Sequence, residues 1–216
     1  TPYAFQFHIT DDKAAVAHAV AIGPTGTGKT TLLGAMLAIT PDTERILVVE
    51  DSAELAISHP YVATLQSRNS NIENLGEVTM QTLVRQALRM RPDRLVIGEV
   101  RGIEIVDFLN ALNTGHSGSG STIHANSAKS VPTRVEALGL IAGMPRAAIH
   151  SQLVSAIQVV LELRRDAHGK RKLTNISILK ILDTGFVTAA SAVNCSDTWQ
   201  PDVAYNELMQ ILGIDQ

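Results

Sequence analysis

The chain has 216 residues, of which 45% are apolar, enough for one domain with a substantial core. A net charge of −3 and an aromatic content of 4% argue against a nucleic-acid surface, which needs a basic field and stacking platforms. The single cysteine, Cys195, excludes an intramolecular disulfide and suits a reducing compartment, and no apolar run reaches the length of a membrane span.

The first residue is Thr1, and Thr1 to Thr10 lacks the basic-then-apolar pattern of a signal peptide. The chain is therefore expected to be a piece of a longer protein or a trimmed form. His18 to Ile22 reads as a short strand. Lys29 to Ile39 reads as a helix stopped by Thr40-Pro41. Strands are expected over Ile46 to Glu50 and Tyr61 to Ser67, and a helix over Thr79 to Met90. Leu95 to Val100 reads as a buried strand, Ile103 to Asn113 as a helix closed by Gly115, and Gly120 to Ala125 as a further strand. Val131-Pro132 opens a helix, because proline fits the first helical turn. Pro145 to Ala156 reads as another. Val159 to Arg164 and Lys172 to Leu179 form a hairpin around Asp166-Ala167-His168-Gly169. Asp183 to Asp197 reads as a loop or edge strand, and Val203 to Leu212 as a terminal helix. The alternation predicts an α/β fold with a mainly parallel sheet and a C-terminal β-hairpin. The expected divisions are a remnant or linker over 1–17, a core over 18–182 and an extension over 183–216.

Gly23-Pro24-Thr25-Gly26-Thr27-Gly28-Lys29-Thr30 fits G-x-x-x-x-G-K-[ST] at every fixed position. Glycines let the backbone wrap a phosphate so that several N–H groups point inward. The helix that follows adds its positive end. Lys29 would neutralise the β- and γ-phosphates, and the Thr30 hydroxyl would ligate Mg²⁺. With about 7% Gly, ~6% Lys and ~12% Ser plus Thr, a chance match in a chain of this length falls under ~1%.

ATP hydrolysis also needs a carboxylate to hold Mg²⁺ or activate water. Two strands deliver one at their C-terminal ends, where ligands sit in open α/β sheets. These are Glu50-Asp51 after ILVV and Glu99 after LVIG, with Arg101 two residues on. The bland alternative for each is a solvated or salt-bridged strand end.

Four blocks then make a combination. GPTGTGKTT (23–31), ILVVEDSAEL (46–55), RPDRLVIGEVRG (91–102) and NTGHSGSGSTIHANS (113–127) together resemble the secretion-superfamily ATPases of type II secretion, type IV pili, tight-adherence pili and type IV secretion. ALRMRPDR and TIHANS most resemble the tight-adherence and conjugation-type branch. The resemblance implies a RecA-like core that binds ATP and Mg²⁺. It also implies a homohexameric ring, cytoplasmic and peripheral at the inner face of the membrane, working on a platform protein. By the same resemblance Gly26, Gly28, Lys29, Thr30 and Thr31 cradle phosphate and Mg²⁺, with Gly23, Thr25 and Thr27 completing the loop. Glu99 arranges Mg²⁺ and water, and Glu50 is the second candidate. His116 and His124 act as γ-phosphate sensors or as relays between subunits. Arg89, Arg91 and Arg101 are candidates for phosphate contact or a subunit interface.

Without the resemblance, His124 reads as a satisfied core or interface histidine. His8, His18, His59, His150 and His168 receive no role. The cluster Arg164-Arg165 with Lys170-Arg171-Lys172 reads as a solvated turn. Family members carry a domain ahead of this core, whereas 22 residues precede Gly23 here, so weak turnover is expected. Two rival readings stand beside the motor: a DNA-transfer ATPase, and a nucleotide-binding core with little hydrolysis.

Overall fold

The computed structural model describes residues 17–70, 72, 75–196 and 198–214. The expected remnant over 1–17 therefore lies almost wholly outside the described residues. The elements run β1 (Ala19–Ile22), α1 (Lys29–Leu37), β2 (Ile46–Glu50), β3 (Val62–Gln66), α2 (Met80–Arg89), β4 (Arg94–Val100), α3 (Glu104–Asn113) and β5 (Gly120–Ile123). They continue as α4 (Val131–Ile141), α5 (Arg146–Ala156), β6 (Val159–Arg165), β7 (Arg171–Ile181), β8 (Val187–Asn194), β9 (Gln200–Pro201) and α6 (Tyr205–Ile211).

The strands form one sheet in the order β3-β2-β4-β5-β1-β6-β7-β8-β9. β3 through β6 in that order are parallel, and β7, β8 and β9 continue antiparallel. β2 is buried along its whole length, as expected of a parallel strand covered on both faces. One face carries Leu47, Val49, Leu95 and Ile97 and packs on α2 to α5, with Phe108 and Leu153 fully buried there. The alternate residues Ile46, Val48 and Val96 face Leu33 and Leu37 of α1. On that same side α6 covers the antiparallel wing, setting Leu208 and Met209 against Ile176 and Ile178.

Local chemistry sets the boundaries. Thr79 caps α2 by accepting the Thr82 N–H at 3.2 Å, and Pro132 sits in the first turn of α4. α1 stops at Leu37, two residues early, where Thr40 N–H bonds back to the Leu37 carbonyl. β4 starts one residue early because buried Arg94 is clamped by Glu44 and also donates to the Gly118 carbonyl at 3.3 Å. Of the two alternatives over Asp183 to Asp197, the structure holds the strand: β8 pairs along its length with β7, and the short β9 covers its outer edge only at Val193 and Asn194. Small residues such as Ala189 and Ala192 left the choice between loop and strand open in the sequence. Cys195 is buried, and burial pushes its thiol up to about 11, so it stays protonated at neutral pH.

His18 stands just before β1, buried, with Nε2 3.1 Å from the Leu112 carbonyl. Burial holds its pKa below the ordinary histidine value. The unfolded chain takes up a proton near about pH 6.5 while folded His18 stays neutral, so acid favours the unfolded state. Stability should fall as pH drops below that value and level off below the folded pKa. Melting temperature measured from pH 7.5 to 5.5 should therefore slope less steeply in His18→Asn than in the parent. Parallel slopes would place the acid sensitivity elsewhere.

Candidate active site

All parallel strands point one way, so their C-terminal ends share one edge of the sheet. β1 runs there into the loop 23–28, which turns into α1 at Gly28. Gly28 has φ 91°, a left-handed conformation that a side chain would strain. Thr27 is buried and its hydroxyl donates to the Pro24 carbonyl at 2.8 Å, which closes the loop on itself. Lys29 is buried too. Its Nζ donates to the carbonyls of Gly23 at 2.8 Å and Pro24 at 3.2 Å. Burial lowers its pKa, and Glu99 and Glu54 partly oppose that shift.

Above the loop is a cavity of about 450 Å³, within the range of small-ligand sites. Thr25, Gly26, Gly28, Lys29, Thr30 and Thr31 form its floor. Gly23 and Thr27 do not line it; they fold the loop. Glu99, Arg101 and His124 form one wall.

Glu99 owes its position to a register shift. Ile97 pairs with Ser121 and Val100 with Ile123, so β4 carries one residue more than β5 over this stretch. Such a bulge re-aims a side chain next to a site. The Thr122 hydroxyl pins it by donating to the Gly98 carbonyl at 2.7 Å. The Glu99 carboxylate then meets Arg101 Nη2 at 2.5 Å and lies 2.6 Å from His124 Nε2. The Glu99 contact raises the Arg101 pKa further. Glu104, in the first turn of α3, accepts the N–H groups of Arg101 at 2.7 Å and Gly102 at 2.8 Å and so fixes that turn.

Glu50 is 2% exposed. Its Oε1 accepts the N–H groups of Glu54 at 3.2 Å and Leu55 at 3.0 Å, anchoring the loop after β2. A Cβ at position 98 would meet Glu50 Cγ at 2.7 Å, so the glycine in LVIGE makes room for the neighbouring strand's carboxylate. Glu50 Oε2 is buried without a hydrogen-bond partner, beside a small void of about 40 Å³ that also touches Thr30, Asp51 and Glu99. Asp51 itself is exposed, accepts from Ser67 and lies 3.9 Å from Arg101.

Three anticipated residues stand elsewhere. Arg89, Arg91 and His116 precede β4 or β5 and so lie at the opposite edge of the sheet. The length of β5 alone, about 13 Å at the usual rise, separates His116 from the cavity edge. There its Nδ1 is 2.8 Å from the Pro92 carbonyl, and it adopts φ 60°. Within one chain, then, His124 and Arg101 reach the site and these three do not. His150, given no role, is a structural clamp: it contacts Glu136 at 2.8 Å and accepts the Val187 N–H at 3.0 Å.

The cavity also gathers residues with no role in the sequence reading: Glu54, Ala56, Thr122 and Arg171. Glu54 and Thr122 lie inside blocks already singled out. Arg171 belongs to the basic cluster read as a solvated turn, and that reading is corrected here, since the hairpin tip reaches the loop. Arg165 Nη2 donates to the Gly26 carbonyl at 2.6 Å across 139 positions of sequence.

The sequence profile of the type II/IV secretion system protein family matches residues 13–211. The chain belongs to this family. A Mycobacterium tuberculosis (H37Rv) protein named for conjugal transfer is 59% identical over 159 residues, 73% of this chain and 45% of that one. VirB11 of the Bartonella quintana type IV secretion system is 36% identical over 159 residues, 71% of this chain and 44% of that one. The chain thus spans somewhat under half the length of these relatives. Among solved structures, the VirB11 ATPase of the Brucella suis type IV secretion system, in complex with sulphate, aligns with TM-score 0.67 and 30% identity. The alignment covers 76% of this chain and 48% of that one. The pilus retraction motor PilT with bound ADP aligns with TM-score 0.56 over 92% of this chain and 53% of that one; at 22% identity it speaks to the fold alone. The mainly parallel sheet seen here is accordingly the RecA-like fold of secretion ATPases.

Proposed function

We propose that this chain is the ATP-hydrolysing core of a bacterial secretion or pilus-assembly motor, catalysing ATP + H₂O → ADP + phosphate. The observation that carries the reading is the bulge that brings Glu99 into one cavity with Lys29 and Thr30. Backbone N–H groups of the loop and the start of α1 would receive the β-phosphate. Lys29 would exchange the Gly23 and Pro24 carbonyls for phosphate oxygens, regaining in charge-assisted bonds what burial costs it. Glu99, paired with Arg101, would orient the attacking water and accept its proton. His124, 2.6 Å from Glu99, would report on the γ-phosphate through that carboxylate.

The residues also fit Mg²⁺. The donor set is hard oxygen: the Thr30 hydroxyl, the orphaned Glu50 Oε2 and Glu99, around a void. Such a site, completed by substrate phosphates and water, suits this ion. When bound, Mg²⁺ would supply charge neutralisation on the phosphates.

The family relationship supports a ring that works on a membrane platform protein from the cytoplasmic side, with this chain as the motor core. No described helix is long and apolar enough to cross a membrane. Arg89, Arg91 and His116, at the far edge, would act at a subunit boundary rather than in their own site. ATPase rate should then rise more than linearly with protein concentration, in step with assembly seen by sedimentation on the same samples. A monomer with full, concentration-independent turnover would overturn the shared-site reading and leave the phosphate loop standing.

A second reading rests on the mycobacterial relative's name: the same chemistry in a DNA-transfer system. Stimulation of turnover by DNA would favour it; stimulation by a platform-protein fragment would favour pilus assembly or export. The net charge of −3 gives no field for direct nucleic-acid binding.

A further inference from the structure

β6 pairs with β1 from Ala19↔Val159 to Ile22↔Glu162, so beyond Glu162 it projects past the end of β1 on the same edge as the phosphate loop. Its backbone passes close against that loop: a Cβ on Gly23 would stand 2.2 Å from the Leu163 carbonyl. The register with β7 then shifts, with Glu162 opposite Asn175 and Leu163 opposite Leu173. The extra residue, Thr174, ties its hydroxyl to the Glu162 carbonyl at 3.1 Å. A bulge bends a hairpin and increases its twist, and the tip beyond this one lies over the loop.

The tip carries two consecutive like-charged cross-strand pairs, Arg164↔Lys172 and Arg165↔Arg171. Like charges directly opposite one another destabilise a sheet, so each pair needs compensation. Successive residues face opposite sides, and the two pairs find different answers. Arg164 meets Glu162 at 2.7 Å, and Lys172 lies 3.5 Å from Asp166. Arg165 and Arg171 have no carboxylate in ion-pair range among the described residues. Arg165 donates to the carbonyls of Gly169 at 2.9 Å and Gly26 at 2.6 Å. Arg171 lies with Cδ 3.0 Å from the position a Cβ on Gly28 would take, and it lines the cavity with Lys29 and Thr30. Arg101, the other guanidinium there, is already matched by Glu99 and Asp51. Arg171 is thus a guanidinium without an ion-pair partner among the described residues, lining the same cavity as Lys29 and Thr30.

We infer that Arg171 binds the phosphates of the nucleotide from within the same subunit, and that Arg165 is a positioning residue that ties the hairpin tip to the loop at Gly26. The inference rests on the nucleotide-binding reading above. It adds a cationic cover contributed in cis, from a hairpin distant in sequence, to the loop's own lysine.

The test is titration calorimetry of ADP and MgATP with the parent chain, Arg171→Ala, Arg171→Lys and Arg165→Ala. Both arginines are exposed, so the substitutions should leave the melting temperature without nucleotide unchanged. Arg171→Ala should weaken ADP about 10- to 100-fold, the worth of a charge-assisted contact, and Arg171→Lys should recover part of the loss. The Arg171 loss should shrink as ionic strength rises, because an exposed charge is screened. The smaller Arg165→Ala loss, through a hydrogen bond to a carbonyl, should not. Parent-like ADP affinity in Arg171→Ala, or a loss insensitive to salt, would overturn the inference while the parent still binds nucleotide. A parent chain that binds neither ADP nor MgATP would overturn the nucleotide reading and this inference together.

Discussion

Lys29→Ala is expected to weaken MgATP and ADP binding by roughly 100-fold or more, since it removes a buried cation worth several charge-assisted hydrogen bonds. The structure adds a second consequence. Lys29 Nζ bridges the carbonyls of Gly23 and Pro24 and so helps hold the loop without nucleotide. Alanine leaves the Gly23 carbonyl, in a buried position, without that donor. The melting temperature without nucleotide should therefore fall slightly, while the much larger stabilisation by added MgATP disappears. Calorimetry with thermal melts on the same samples separates the two. Unchanged affinity in a folded variant would remove the phosphate-loop assignment. Lost affinity with an unchanged melt would show that the carbonyl bonds contribute nothing to the loop.

The parts of this site legible in the sequence are those built from contiguous residues. The phosphate loop is one strand, one turn and one helix start, and its glycines and lysine must be adjacent for the backbone to wrap an anion. Glu50 and Glu99 could be placed at strand ends because each follows an apolar run long enough to be a buried strand. Their different employment could not be read. It depends on which strands are neighbours, and β2 beside β4 brings Glu50 against Gly98. The bulge at Ile97 to Val100 is likewise a property of a pair of strands.

The histidines show the same limit from the other side. His116 and His124 are close in sequence, but β5 runs between them and carries them to opposite edges of the sheet. Arg89 and Arg91 go to the far edge for the same reason, because β4 separates them from the cavity. The hairpin arginines failed in the opposite direction. Nothing near Arg165 in the chain mentions the loop at Gly26; only the pairing of β6 with β1 brings the two together. Their one sequence signal was electrostatic. Two like-charged pairs facing each other across a tight hairpin call for an anion or a carbonyl nearby.

Glu99→Gln is expected to keep MgATP binding and to slow hydrolysis by about 100-fold or more, the usual scale for losing a positioned general base. The fold should tolerate the change. The side-chain carbonyl of the substituted residue can still accept from Arg101 where Glu99 Oε2 now does, and its amide can face His124. What is lost is the negative charge that balances Arg101 and that, on the proposed mechanism, would draw a proton from water. Glu50→Gln provides the contrast. Its Oε1 would keep accepting the Glu54 and Leu55 N–H groups, so the loop after β2 should hold. The change falls on the orphaned Oε2, which becomes an amide and cannot serve a cation. Glu50→Gln should therefore raise the Mg²⁺ concentration giving half-maximal rate, whereas Glu99→Gln should lower the rate at saturating Mg²⁺ and leave that midpoint alone. Steady-state ATPase rates across a Mg²⁺ titration distinguish the two. If Glu99→Gln shifts the midpoint while Glu50→Gln abolishes turnover at every Mg²⁺ concentration, the carboxylates exchange roles. In that case the bulge on β4 aims a cation-holding side chain, and the proton acceptor is the buried strand end of β2.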